Sequence, residues 1–474
     1  MSASTSNTIP ERDPLEGLRH AVHGLRSPFT CGGTLVPEQP VTLCFQDKTQ
    51  IPVLRAKDAL EQERVLQPLV DRCTVAAFGM GRKTRYDRTV RDALQVKAEA
   101  GALSIVHFDP TAAGILEHVR RELAPQLPGA LTAELYGLNV YPKGGHFLPH
   151  KDTPRGSDML GTLVVCLPSQ FLNGAFVLKH HGVFQTFDWG RAIKEQSEPT
   201  RIHWAAFFGD VDHEIERVWG GLRVTLTYLI RLGANTASEA VPDRSRETED
   251  DLVRHKLREL LDNRRFLTKG GTLAFPCCHL YHQDARFQRQ QRPLSRQTVS
   301  ALKGRDHNVA ATAMAEGLEV TLCPYMIETC ADETWQLEHF PTPREQDALE
   351  DRMDPTGLEN ALAIRASSED GRGEFDVVWV DPPPRFNSRP AMYRAIVEGR
   401  DEVADPDLPA LIHLHSCEYS ATGYFGNEGS DLDLYVYGAL HVAIPPYGEG
   451  VRSATRDKPS SEPSTVRRKP KKRA

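Results

Sequence analysis

Tyr141-Pro-Lys-Gly-Gly-His-Phe-Leu-Pro-His150-Lys-Asp152-Thr-Pro154 is the stretch on which the reading of this chain turns. At its centre a histidine and an aspartate stand two residues apart. On an extended strand alternate side chains share a face, so the imidazole of His150 and the carboxylate of Asp152 are expected to point the same way. Joined by a histidine from a distant strand, they would make the two-histidine, one-carboxylate set of non-haem Fe(II) sites, which leaves three coordination positions open.

The spacing alone carries little, because His107/Asp109 and His282/Asp284 repeat it. Context separates the three. Downstream of His150 lies His203-Trp-Ala-Ala-Phe-Phe-Gly-Asp-Val-Asp-His213, where a strand leads into a histidine. Ten residues further on, Arg223 opens Arg-Val-Thr-Leu-Thr-Tyr-Leu-Ile230. Alternation puts Arg223, Thr225 and Thr227 on one face and Val224, Leu226 and Tyr228 on the other. A guanidinium inside an apolar barrel is costly unless an anion pairs with it. The carboxylate of a cosubstrate, gripped bidentate by Arg223 with Thr225 adding a hydrogen bond, would be that anion. The rivals lack such partners. His181 and Arg191, available to His107/Asp109, precede no strand; His282/Asp284 runs into the Gln/Arg-rich Gln288–Arg292, and no Arg-bearing strand follows His339. Both pairs read as loop or surface histidines.

Around this constellation the texture is strand-rich. Leu135–Val140, Thr162–Leu167, Ala175–Leu178, Val183–Phe187, His203–Phe208 and Val224–Ile230 are short apolar or alternating runs divided by turn residues, as in a sandwich or barrel. Upstream, strands are expected over Val41–Phe45 and Ile51–Leu54, with helices over Asp58–Val70 and Ala112–Leu123. Downstream, Thr248 with Asp251 signals a helix start and Asp306–Glu316 a second helix stopped by Gly317. Thr272–Phe275, Leu318–Cys323, Phe375–Val380 and Leu434–Ile444 read as further strands. The expected class is therefore α+β. The divisions are a loose N-terminus (1–15), a supporting flank (16–130), a strand-rich core (131–233), a linker and helix (234–265), a mixed α/β C-terminal region (266–447) and a disordered basic tail (448–474).

Composition narrows the function classes. The 474 residues are 40% hydrophobic and 26% charged, too apolar for a disordered chain, and no apolar run is long enough to span a bilayer. The first residues have no apolar stretch of the secretory kind, so the chain is expected in the cytoplasm or nucleus, with its nine cysteines reduced. The net charge of −7 is uneven. From Arg452 onward nine Lys/Arg face two acidic residues, a net +7 that leaves the remainder at −14. An acidic body argues against a broad nucleic-acid footprint, so nucleic acid is expected to touch only the tail. Its closing cluster, Arg467-Arg-Lys-Pro-Lys-Lys-Arg473, has the look of a nuclear-import signal.

The residues Tyr141, Gly144-Gly145, Phe147, His150, Asp152, His213 and Arg223 resemble the motif of Fe(II)/2-oxoglutarate dioxygenases of the prolyl 4-hydroxylase-like branch. The blocks Ala133–Tyr141, His150–Arg155, Leu163–Ser169, Trp204–His213, Thr272–Tyr281, Leu302–Arg305 and Tyr424–Gly429 resemble more closely a fungal-type group of proteins carrying this domain. The resemblance implies a double-stranded β-helix, or jelly roll, flanked by helices. It implies Fe(II) held by His150, Asp152 and His213, with 2-oxoglutarate gripped by Arg223 and hydrogen-bonded by Tyr141. The implied reaction uses O2 to couple decarboxylation of 2-oxoglutarate to succinate with hydroxylation of a small molecule or protein, peptidyl proline being the guess by analogy; ascorbate is a further expected cofactor. The alternative is an inactive jelly-roll module that binds a protein or nucleic acid. There are departures: Phe147 stands where relatives often have Tyr, and Phe171-Leu-Asn-Gly-Ala175 has one glycine where many have two. Trp189 and Trp204 read as core before entrance residues, Lys151 and Arg155 as solvated before substrate-steering. Cys277-Cys278-His279 with His282 is a weak second metal candidate, because adjacent thiols chelate one ion poorly.

Overall fold

The computed structural model describes residues 15–453 apart from 57, 81–82, 128, 154, 157, 196–200, 234–246, 283–292, 328–333, 338–363, 368–376, 381–434 and 437. The N-terminus, most of the expected linker, Asp284, His339, the Tyr424–Gly429 block and the Arg467–Arg473 cluster lie outside the described residues.

Eight strands carry the centre of the molecule: β1 (Leu131–Tyr141), β2 (His146–His150), β3 (Met159–Cys166), β4 (Phe176–His180), β5 (Val183–Phe187), β6 (Ile202–Phe208), β7 (Asp212–Ile215) and β8 (Arg223–Leu232). They are divided between two antiparallel sheets, alternating except at β4 and β5, which are neighbours in one sheet. One has the order Thr30–Leu35, β6, β3, β8, β1, Leu94–Lys97, Thr74–Val75; the other runs β5, β4, β7, β2, Arg91–Asp92. Side chains of both sheets share one hydrophobic core, from Leu163, Val165 and Phe207 to Phe147, Phe176 and Leu178.

The sequence accounts for these strands locally. Every residue of β6 is buried, as is β8 from Arg223 to Ile230, because one face meets the opposite sheet and the other meets the flank. Trp204, for example, packs edge-on to His118 of the helix Ile115–Leu123, with ring centroids 5.4 Å apart. The β4–β5 hairpin closes through His181 and Gly182, both at positive φ (45° and 77°), as a two-residue turn requires. At Gly161 in β3 a Cβ would fall 2.0 Å from the Phe207 carbonyl oxygen, so only glycine lets β3 and β6 approach there.

The helix expected from Asp58 runs over Ala59–Val70, with Asp58 Oδ1 accepting from the Glu61 amide at 2.8 Å. The helix expected to start near Thr248 spans Glu247–Asp262, which puts Thr248 inside it rather than at its cap. Of the eight core strands, two escaped the sequence pattern: β2, which contains Pro149, and β7, which is four residues long.

A second hydrophobic core belongs to the C-terminal part. Its sheet runs Ile364–Ser367, Thr334–Leu337, Val320–Ile327, Gly438–Ile444, Gly271–Pro276, Val377–Trp379, the last two strands pairing in parallel. Leu257, Leu260 and Leu261 of the helix Glu247–Asp262 pack here, as do Leu18 and Val22 of the N-terminal helix Glu16–His23. The chain's first helix thus serves the last core. Among the described residues no helix is long and apolar enough to cross a membrane.

Candidate metal centre

Strand register brings the two histidines together. β2 and β7 pair antiparallel with His150 opposite His213, and the imidazole centroids lie 4.1 Å apart. In each ring Nδ1 faces a carbonyl, Leu148 O at 2.8 Å for His150 and Val211 O at 2.9 Å for His213. A carbonyl only accepts, so Nδ1 carries the proton and Nε2 keeps its lone pair. Burial, with His213 as the second cause, pulls the His150 pKa well below its ordinary value, so this ring stays neutral and able to ligate.

Asp152 joins them differently from the sequence expectation. β2 stops at His150, and the chain leaves the strand before Asp152, whose amide donates to Gly209 O at 3.2 Å. The carboxylate then turns inward: Oδ2 accepts from Thr162 Oγ1 at 2.5 Å, and Oδ1 lies 3.7 Å from His213 Nε2. One ligand-type atom from each of His150, Asp152 and His213 lies within 4.8 Å of the others.

The triad faces a cavity lined also by Tyr141, Phe147, Phe176, Phe207, Arg223 and Thr225. Aromatic rings wall the ligands in. Phe147 stacks on His150 at 3.5 Å between centroids and 21° between planes, while Phe207 and Phe176 close on His213 at 4.6 and 5.8 Å. Phe147 is therefore spent on holding the His150 ring.

Arg223, Thr225 and Thr227 all line this cavity. Arg223 is 1% exposed, and its Nε and Nη2 have no hydrogen-bond partner among the described residues. Three rings surround the guanidinium: Tyr141, Trp189 and Phe171, with centroids 5.3, 5.4 and 5.9 Å away. Desolvation lowers its pKa, the signature of a buried cation that lacks an anion. Gly174 leaves it room. With φ at +73°, a Cβ there would fall 2.7 Å from Val218 Cγ2 and 3.5 Å from Arg223 Cδ. Asn173 beside it also adopts a left-handed φ, +59°, and donates to Arg217 O.

Several readings change here. Lys151 is not solvated: it is 6% exposed and its Nζ lies 2.8 Å from Asp212 Oδ2. Arg155 donates to the Tyr136 hydroxyl at 3.0 Å. Trp204 is core, and Trp189, equally buried, flanks Arg223. His107 is exposed at φ +64°, and His181 Nε2 meets Cys278 O instead. His279 gathers with His180 and Asp210, not with the two thiols; Cys278 Sγ donates to Asp306 Oδ1.

Among the cavity residues, Asn139, Thr162 and Arg91 carry no signal in sequence. Arg91 is 2% exposed, donates to Ala77 O at 2.5 Å and to Asn139 Oδ1 at 2.8 Å, and lies over the Phe147 ring at 4.6 Å. Nothing near Val90-Arg91-Asp92 marks it in sequence, because its burial comes from the ladder pairing Arg91 with Phe147.

No family model and no curated protein matches the chain. Among solved structures the neighbours are 2OG-Fe(II) oxygenases, including prolyl hydroxylases. A Pseudomonas putida prolyl-4-hydroxylase is 14% identical, with 46% of this chain and 100% of that one covered, at a TM-score of 0.26. A Trichoplax adhaerens prolyl hydroxylase, solved with a peptide fragment of the hypoxia inducible factor oxygen degradation domain, is also 14% identical, covering 46% and 90% at 0.26. An oxidoreductase of the 2OG-Fe(II) oxygenase family from Burkholderia pseudomallei is 17% identical, covering 50% and 100% at 0.22. Likeness of this size leaves the function to the geometry of the site itself.

Proposed function

We propose that the chain is an Fe(II)- and 2-oxoglutarate-dependent dioxygenase whose β1–β8 core is a double-stranded β-helix. The division of the eight strands between two sheets that share one core supports the fold. The reading of function is carried by one coincidence: three convergent ligand side chains and a fully buried guanidinium with unsatisfied donors share a single cavity.

The residues fit the metal and the cosubstrate. His150 and His213 would present Nε2 and Asp152 a carboxylate oxygen, the donor set of facial Fe(II) sites. Thr162 orients Asp152, and the Leu148 and Val211 carbonyls fix the imidazole tautomers. Arg223 would take the distal carboxylate of 2-oxoglutarate, with Thr225 and Tyr141 at the same end of the cavity. Fe(II) bound here with 2-oxoglutarate and O2 supplies an oxidation that couples decarboxylation to succinate with hydroxylation of a C–H bond. The aromatic walls exclude water from that chemistry.

Peptidyl proline as substrate, ascorbate as a helper and membership of the fungal-type group belong to the same proposal and rest on the residue resemblances alone. The test is O2-dependent succinate formation after anaerobic Fe(II) loading, with His150→Ala and Arg223→Lys compared. The parent should release succinate, His150→Ala should not, and Arg223→Lys should need far more 2-oxoglutarate. A parent that neither binds metal nor forms succinate overturns the enzyme and leaves the inactive jelly-roll module.

A further inference from the structure

Where the C-terminal part meets the barrel, a second group of two histidines and an aspartate gathers: His180 at the end of β4, Asp210 in the β6–β7 turn, and His279. Asp210 is fully buried and both of its oxygens are engaged. Oδ1 accepts from Lys303 Nζ at 2.7 Å; Oδ2 accepts from His279 Nδ1 and from the Leu280 amide, each at 3.0 Å. An ammonium in contact with the carboxylate, and Lys151 on the other side of the turn, make this a poor seat for a divalent cation. The group is a charge-matched lock.

What it locks is the support of the proposed iron ligands. Within the turn, Gly209 O accepts from the Asp152 amide at 3.2 Å. Asp210 O accepts from Nζ of Lys151, the residue between His150 and Asp152, at 3.0 Å. Val211 O takes His213 Nδ1 at 2.9 Å, and Asp212 Oδ2 pairs with Lys151 at 2.8 Å. Four consecutive residues thus touch two of the three ligands, Asp152 and His213, and Lys151, which joins Asp152 to His150. The C-terminal side of the lock is itself braced: Asp306 accepts from the Cys278 and His279 amides and from the Tyr281 hydroxyl.

We infer that the C-terminal region positions the metal ligands, with Lys303 and His279 acting through Asp210 on the Gly209–His213 turn. This rests on the iron reading and gives the C-terminal region a role in the same centre. Lys303 and His279 are positioning residues: they touch neither the cavity nor any group proposed to bind there.

The test is Mn(II) binding to the full-length protein, followed by electron paramagnetic resonance, with hydrogen exchange of residues 205–216 measured in parallel. Lys303→Met, and the milder His279→Phe in case the first fails to fold, should weaken Mn(II) binding by about 10- to 100-fold and speed exchange in the turn. Lys303→Arg should recover most of the affinity. Leu261→Ala, a truncation deep in the C-terminal core, should lower the melting temperature and leave Mn(II) affinity unchanged. Parental affinity in folded His279→Phe, or equal weakening in Leu261→Ala, overturns the positioning role while the metal site stands. A parent whose Mn(II) binding is absent, or survives His150→Ala, overturns the iron reading and this inference with it.

Discussion

The described residues hold two clusters of identical composition, His150/Asp152/His213 and His180/Asp210/His279, and they are built to opposite ends. In the first, Asp152 meets a threonine hydroxyl and a neighbouring imidazole, the cavity beside it is open, and the nearby cation, Arg223, has unsatisfied donors. In the second, the carboxylate is met by an ammonium, an imidazole and an amide, so its charge is matched, although Nε2 of His180 and of His279 stays without a hydrogen-bond partner among the described residues. Residue types do not make a ligand site. An uncompensated one does, because folding has left a free-energy deficit that only a ligand can remove.

That difference should appear as opposite signs of stability. Lys303→Met leaves Asp210 buried with its counter-ion gone and should destabilise the protein by about 3–5 kcal/mol, read by chemical denaturation. A loss below about 1 kcal/mol would mean the lock is not what the geometry says. Thr162→Val removes the hydroxyl that orients Asp152 and should weaken Mn(II) or Fe(II) affinity by about 10- to 100-fold with little effect on melting temperature. The equivalent loss of a polar neighbour in the second cluster should move melting temperature first. Arg223→Met removes a buried charge that has no anion, so the metal-free, 2-oxoglutarate-free protein should gain roughly 1–3 kcal/mol while 2-oxoglutarate ceases to stabilise it. Destabilisation in the absence of ligand would show that Arg223 is satisfied by the fold.

The smallest contrast is in pH. Burial first, then His279 and His181, hold the His180 pKa well below its ordinary value. The folded protein therefore keeps His180 neutral while the unfolded chain protonates it near pH 6.5. The unfolded state binds more protons, so this contribution is complete above about pH 6.5 and is lost as pH falls. His150 is shifted in the same direction, and Asp210, held low by Lys303 against the opposing effect of burial, matters only in more acidic solution. His180→Phe should make melting temperature fall less steeply between pH 7 and 5; an unchanged slope would rule out His180 as a contributor.

Much of the first cluster was legible in the chain. His150 and Asp152 stand two apart, and β8 alternates so regularly that the inward Arg223, Thr225 and Thr227 could be read from spacing. What was illegible follows from physics that spacing does not encode. β2 and β7 are short, and one holds a proline, so neither shows as a strand until pairing with the other makes it one. Lys151 carries the sequence signature of a surface residue and is buried only because Asp212 waits for it across the β2–β7 ladder. Arg91 enters the cavity from a flank whose local sequence looks ordinary.

The sequence by itself determined the donor types, the alternation that turns Arg223 inward and the presence of a strand-rich centre, because these depend on near-neighbour periodicity. Only the tertiary structure decided which histidine meets which aspartate. His150 finds His213 through strand register over 63 residues, and Asp210 finds Lys303 across 93. It also decided that the Asp210 carboxylate meets a counter-ion in Lys303 while the Arg223 guanidinium keeps unsatisfied donors. Satisfaction is a sum over every group that arrives in the same small volume, and no stretch of chain contains that sum.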